Sequence, residues 1–128
     1  MSGPLEGLKV LELAGIGPGP YACMLLADLG ADVLRLERGD PDAGGETSWD
    51  VLNRSRPSVA IDLKNDAGRD LVLELCAQAD VLIEGFRPGV AERLGVGPDD
   101  VFARNAKIIY GRITGYGQEG PLLSLIHI

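Results

Sequence analysis

The chain is 128 residues long, and its 12 Lys and Arg against 19 Asp and Glu leave a formal charge of −7. With 45% hydrophobic and 24% charged residues it can bury one core and is neither disordered nor fibrous in composition. A pI near 4.6 opposes binding to a nucleic-acid backbone, and the apolar run Ala22–Ala27 stops at Asp28, far short of the roughly 20 residues that span a bilayer.

The N-terminus carries Glu6 and Lys9 and no apolar h-region, so it does not read as a secretory signal, and a cytoplasmic protein is expected. The first strand is predicted over Lys9–Leu13. A glycine- and proline-rich turn, Ala14 to Pro20, leads into a helix over Pro20–Leu29, with Pro20 suited to a first helical turn and Gly30 to a stop. A second strand over Asp32–Leu36 completes a βαβ unit. Arg38–Ser55, rich in Gly, Asp, Ser and Thr, is expected to be a long loop of the ligand-facing or mobile kind.

A third strand is predicted over Ser58–Asp62. Asn65 then caps a helix near Asp66–Ala77 that places Leu71, Val72, Leu75, Cys76 and Ala79 on one face, toward the sheet. The fourth strand is Val81–Glu84. Two short helices follow, Pro88–Leu94 ended by Gly95 and Pro98–Asn105, before a fifth strand, Ile108–Ile113, runs into a glycine-rich loop ending at Pro121. The strands read as apolar runs covered on both faces. Strands alternating with helices imply an α/β, doubly wound, mostly parallel sheet of Rossmann-like type.

Three features could carry chemistry. The first βα turn has glycines that let a ligand approach, ahead of a helix N-terminus that favours anions. The dinucleotide fingerprint G-x-G-x-x-G would begin at Gly15 and Gly17 with Glu37 on a ribose hydroxyl, but its third glycine position holds Pro20. A tight connection without ligand is the competing reading. Second, basic residues cluster at strand ends: Arg35 and Arg38 near the second strand, Arg54 and Arg56 before the third, Lys64 after it and Arg87 after the fourth. Ligands of open α/β sheets bind beyond the carboxyl ends of the strands, where Arg38, Lys64 and Arg87 are expected to converge on phosphate or a purine ring. Third, the loop from Thr114 to Pro121 would let a thioester or amide chain pass close to backbone N–H groups. No Ser-His-Asp, Cys-His or metal constellation is complete, and Cys23 and Cys76 read as buried free thiols.

The segments Leu13-Ala14-Gly15-Ile16-Gly17-Pro18-Gly19-Pro20, Asp28-Leu29-Gly30-Ala31-Asp32-Val33, Asp62-Leu63-Lys64, Ala79 to Gly89, Glu92-Arg93-Leu94-Gly95 and Thr114-Gly115-Tyr116-Gly117-Gln118, in this order, resemble the family III coenzyme A transferases (CaiB/BaiF-type). That family includes the α-methylacyl-CoA racemases. The resemblance spans residues 3 to about 121, and the form of the first turn is more similar to the racemase branch. It implies the N-terminal part of a coenzyme A-binding α/β domain over residues 1–122, a place in fatty acid metabolism, and no cofactor beyond the coenzyme A moiety of an acyl-CoA substrate.

By the same resemblance Arg38 contacts the adenine and phosphate end of coenzyme A, Ile61, Asp62, Leu63 and Lys64 line the nucleotide site, and Gly85, Phe86, Arg87 and Arg93 complete it. The racemases exchange the α-proton with a histidine in a Gly-His-Asp motif and a later aspartate. That histidine would fall at position 128, which holds Ile128; His127 is one position early and lacks the context. No catalytic residue is therefore assigned within this chain, and the pair is expected beyond it. A transferase, using an aspartate nucleophile, and a stand-alone nucleotide-binding module are the alternatives. Family members are expected to be interlocked homodimers with a second domain. The last six residues, Leu123–Ile128, match the translation of a transposase-end adapter used in DNA library preparation, and are expected to be a non-native tail.

Overall fold

A computed structural model of the chain describes residues 2–39 and 51–123. Its elements alternate in chain order: β1 (Lys9–Leu13), α1 (Pro18–Asp28), β2 (Asp32–Glu37), β3 (Ser58–Ala60), α2 (Asp66–Gln78), β4 (Val81–Glu84), α3 (Val90–Arg93), α4 (Pro98–Arg104) and β5 (Ile109–Arg112). A single 3₁₀ turn, Val51–Asn53, precedes β3. The five strands form one sheet in the order β3-β2-β1-β4-β5, and every pairing is parallel. The order reverses between β1 and β4, which makes the carboxyl ends of those strands the crevice of a doubly wound sheet.

The period of two along the strands sorts the core into two layers. Leu11, Leu13, Leu36 and Leu82 pack with Val72 and Cys76 of α2, Ala91 of α3 and Val101 of α4. On the opposite face Val10, Val33 and Ile83 pack with Cys23 and Ala27 of α1. Each helix thus covers strand residues of one parity.

The structure adjusts several sequence-based boundaries. Helix α1 begins at Pro18, because a proline at the first helical position needs no N–H partner. The helix expected over Pro88–Leu94 shortens to a single turn, since Gly89 adopts the left-handed conformation (φ 85°) in front of it. β3 is three residues long and exposed along its length, as an edge strand can be, rather than apolar and doubly covered. The buried stripe of α2 is rotated from the expected one: Leu73 is 8% exposed whereas Leu71 is 43% exposed. The helix packs against α4 as well as the sheet, and Val72, Leu73 and Cys76 share one buried cluster with Val101 of α4 and with Leu11 and Leu82 of the sheet. Residues 40–50 of the expected long loop and 124–128 of the expected tail lie outside the described residues.

Candidate functional site

Beyond the carboxyl ends of β1, β2 and β3 lies a cavity of about 390 Å³. Leu13, Leu36, Ile61, Leu63, Phe86, Val90 and Leu94 give it an apolar lining, and Glu37, Arg38, Asp62 and Lys64 stand at its polar edge. Of the nine residues expected to form a nucleotide site, it brings together Arg38, Ile61, Asp62, Leu63, Lys64 and Phe86. A second cavity of about 260 Å³ opens where the first βα turn, the exit of β4 and the exit of β5 meet. Ile16, Pro18, Gly19, Gly85, Phe86, Arg87, Pro88, Ile113, Thr114 and Gly115 surround it. Phe86 belongs to both. Arg38, Lys64 and Arg87 therefore do not converge in one place: the first two share the larger cavity and Arg87 lies at the second. Arg93 is exposed on α3, between Val90 and Leu94 in sequence and outside the lining of either cavity.

The walls are held by specific local chemistry. The Asp62 carboxylate accepts the Lys64 N–H at 2.9 Å and the Asn65 side chain accepts the Ala67 N–H at 2.9 Å, capping α2 immediately after the cavity wall. Gly68 lets the first turn of α2 press on that wall, because a Cβ there would stand 2.0 Å from the Asp62 carbonyl oxygen. At the other side the Glu84 carboxylate, 1% exposed, accepts the Phe86 N–H at 2.8 Å and fixes the loop that carries the shared ring.

The arginines divide by what they touch. Arg56 is buried against Glu12 at 2.7 Å, Arg35 joins Glu12 at 3.9 Å and Glu37 at 3.0 Å, and Arg54 pairs with Asp28 on α1. These three, expected from sequence among the bases at strand ends, are committed to carboxylates, and Arg54 and Arg56 brace the chain leading into β3. Arg38, Lys64 and Arg87 form no salt bridge among the described residues, and each lines a cavity. Burial pushes the Glu12 carboxyl above its ordinary value in spite of Arg56 and Arg35. It also pushes the Cys23 thiol up to about 12 and the Cys76 thiol to about 11, which together with their full burial disfavours the thiolate at neutral pH.

The N-terminus of α1 differs from a dinucleotide-binding helix in a decisive way. Pro18 and Pro20 lack N–H groups, the Tyr21 N–H bonds the Gly17 carbonyl, and no side chain caps the end. A phosphate cradle of consecutive backbone donors cannot form there. The cationic groups at the larger cavity are instead the side chains of Arg38 and Lys64. The buried carboxylates Glu12 and Glu84 were not legible as site supports in the sequence. Their signal was an acid at a sheet-interior position of an otherwise apolar strand, with an arginine in register on the neighbouring one: Glu12 opposite Arg35, and Glu84 opposite Arg112. Among the described residues no cluster of ligands could hold a metal ion, and no helix is long and apolar enough to cross a membrane.

The chain is thus an acidic α/β domain with a cation-edged cavity beyond the carboxyl ends of its strands. The family model for CoA-transferase family III matches residues 5–125, and the chain belongs to that family. It is 46% identical over 116 residues to the alpha-methylacyl-CoA racemase of Mus musculus, covering 91% of this chain and 29% of that protein. It is 39% identical over 130 residues to the human succinyl-CoA:glutarate CoA-transferase, covering 93% of this chain and 30% of that one. A crystal structure of a CaiB/BaiF family protein from Brucella suis superimposes with a TM-score of 0.85 at 39% identity, over 96% of this chain and 36% of its own. The chain thus spans about 30% of the length of the curated relatives it matches.

Proposed function

We propose that this chain is the coenzyme A-binding front of an α-methylacyl-CoA racemase. The adenosine and phosphate end of an acyl-CoA occupies the larger cavity, with its anionic groups on Arg38 and Lys64. The pantetheine arm passes Phe86 toward Arg87 and the glycine-rich exit of β5. The observation that carries this reading is the pairing of two uncommitted cations with an apolar cavity beyond the strand ends, on a chain of net charge −7. The 46% identity to the mouse racemase supports the racemase branch.

In the whole protein two acid/base groups on opposite faces of the α-carbon would remove and return its proton, while backbone donors hold the thioester oxygen as charge develops on it. Neither group is assigned within these residues. A second reading, transfer of coenzyme A between carboxylic acids, is favoured by the 39% identity to the human transferase and would require an aspartate nucleophile elsewhere in the protein. A homodimeric whole protein accompanies either reading.

The testing experiment is calorimetric titration of the chain with coenzyme A. Saturable binding that Arg38→Ala weakens at least several-fold supports the assignment, and binding indifferent to Arg38→Ala and Lys64→Ala together overturns it. Whole-protein assays then separate the branches. Exchange of the α-proton of a 2-methylacyl-CoA with solvent deuterium marks a racemase, and acceptor-dependent release of the acid marks a transferase.

A further inference from the structure

The fixed spacing between Phe86 and α3, which bounds the larger cavity, has one side chain behind it. Arg112 lies at the end of β5, in register with Glu84 on β4. Its Nε donates to Glu84 Oε1 at 2.8 Å, while Nη1 and Nη2 donate to the two oxygens of Glu92 on α3 at 2.5 and 3.1 Å. The other oxygen of Glu84 accepts the Phe86 N–H at 2.8 Å. One planar guanidinium therefore joins the carboxylate that holds the Phe86 loop to the carboxylate on the helix that carries Val90 and Leu94. Those three residues line one side of the larger cavity. The next residue, Ile113, donates its N–H to the Glu84 carbonyl at 2.9 Å and turns the chain into the second cavity. The Arg112 guanidinium also lies 5.7 Å from the centre of the Tyr110 ring, whose hydroxyl donates to the Val96 carbonyl at 2.7 Å, so its plane is fixed from behind.

We propose that Arg112 is a positioning residue: by bridging Glu84 and Glu92 it holds Phe86 and α3 at the separation that admits the nucleotide end of the ligand. It touches no ligand itself. A lysine cannot replace it, because a single ammonium lacks the fork that spans two carboxylates in fixed directions. The inference rests on the coenzyme A reading for its ligand, although the clamp can be tested without it.

The experiment uses the full 128-residue chain and two variants, Arg112→Lys and Glu92→Gln. Glu92 is 47% exposed in its side chain, and Glu92→Gln removes the charge and one of the two acceptors of the arm to α3 while keeping the buried pair with Glu84. Three quantities are read: the thermal midpoint, affinity for coenzyme A and for adenosine 3′,5′-bisphosphate, and amide hydrogen exchange at Phe86 and at Arg93 and Leu94. Glu92→Gln is expected to leave the midpoint within about 3 °C, the displacement that a small surface change produces. It should still weaken both ligands about fivefold or more and speed exchange in α3 but not at Phe86. Arg112→Lys should speed exchange at both places and weaken both ligands at least tenfold.

Affinities within twofold of the parent in a folded Glu92→Gln chain overturn the proposal and leave Arg112 as a brace of the sheet edge. That variant decides the matter if Arg112→Lys does not fold. Should the parent chain bind neither ligand, the coenzyme A reading fails separately. Exchange then decides the clamp: accelerated exchange in Arg112→Lys sustains it, and unchanged exchange at Phe86 and α3 overturns it.

Discussion

Glu12 and Arg56, 44 residues apart in the chain, meet as a buried pair with Nε to Oε2 at 2.7 Å. The same guanidinium donates to the Leu52 carbonyl and to the Asn53 side chain, so it pins the segment leading into β3 onto the middle of β1. Both side chains are essentially solvent-free, at 0% and 1% exposure. Removing one partner strands the other charge in the core. Arg56→Met is expected to cost about 3–5 kcal/mol in chemical denaturation. Replacing both, as Glu12→Leu with Arg56→Met, should cost clearly less than the single change; an additive double loss would contradict the pairing.

Gly68 tests how tightly the cavity wall is set. A methyl group at this position overlaps the Asp62 carbonyl, so Gly68→Ala must shift either the Ile61–Lys64 wall or the start of α2. Overpacking of this kind costs about 1–3 kcal/mol. The expected signature is a lower denaturation midpoint together with weaker coenzyme A binding. An alanine variant as stable as the parent would show that this turn gives way freely.

The two cavities make separable predictions for the cations. Arg38→Ala and Lys64→Ala should each weaken coenzyme A and adenosine 3′,5′-bisphosphate alike, by about 1–3 kcal/mol, the range of a charge-assisted bond to phosphate. Arg87→Ala, at the second cavity, should weaken coenzyme A more than the shorter bisphosphate. Calorimetry with both ligands checks the pattern, and an equal loss for both in Arg87→Ala would contradict a ligand that crosses from one cavity to the other.

The acid side of the stability curve has a definite sign. The Arg112 fork holds the Glu92 carboxyl below its ordinary value of 4.5, as Arg54 holds Asp28 below its ordinary 3.8. A depressed carboxyl binds fewer protons folded than unfolded, so its stabilisation is complete above the ordinary value and is lost as pH falls through the folded one. Glu12 acts in the opposite sense: its carboxyl is raised by burial, so its share of stability declines as pH rises through the interval above 4.5. Urea denaturation between pH 3 and 5 (roughly the carboxylate range) should show a shallower acid loss in Glu92→Gln. The difference should shrink in high salt, because Glu92 is half exposed.

Cys23 and Cys76 are fully buried and their thiols are pushed up to about 12 and 11. A chromogenic disulfide reagent at pH 8 is expected to titrate neither thiol in the folded chain and both in denaturant. Rapid reaction of either thiol under native conditions would contradict the packing of α1 and α2 described above.

The alternation of strands and helices was legible because β1 and β4 are short, largely apolar runs and the helices between strands open or close at proline, glycine or asparagine. β1 and β4 fall where the sequence placed them. The rotation of α2 was not legible, since Leu71 and Leu73 are equally apolar and only tertiary packing decides which is buried. The cavity's cation edge could be read from Arg38 and Lys64 at strand ends. The division of labour among arginines could not, because the partner of Arg56 lies 44 residues away and that of Arg112 lies 28 away through Glu84 and 20 through Glu92. The prolines at positions 18 and 20 carried more information than the failed glycine fingerprint itself: they remove backbone donors from the start of α1, where a dinucleotide-binding helix would need them.

The proposed function places the nucleotide end of coenzyme A in the cavity edged by Arg38 and Lys64. Its most direct test is a titration of the isotope-labelled chain with coenzyme A, followed residue by residue in amide NMR spectra. Saturable shifts concentrated at residues 36–39, 61–64 and 86, and lost in Arg38→Ala with Lys64→Ala, are expected. Shifts confined to the outer face of α1, or none at millimolar ligand, would contradict it.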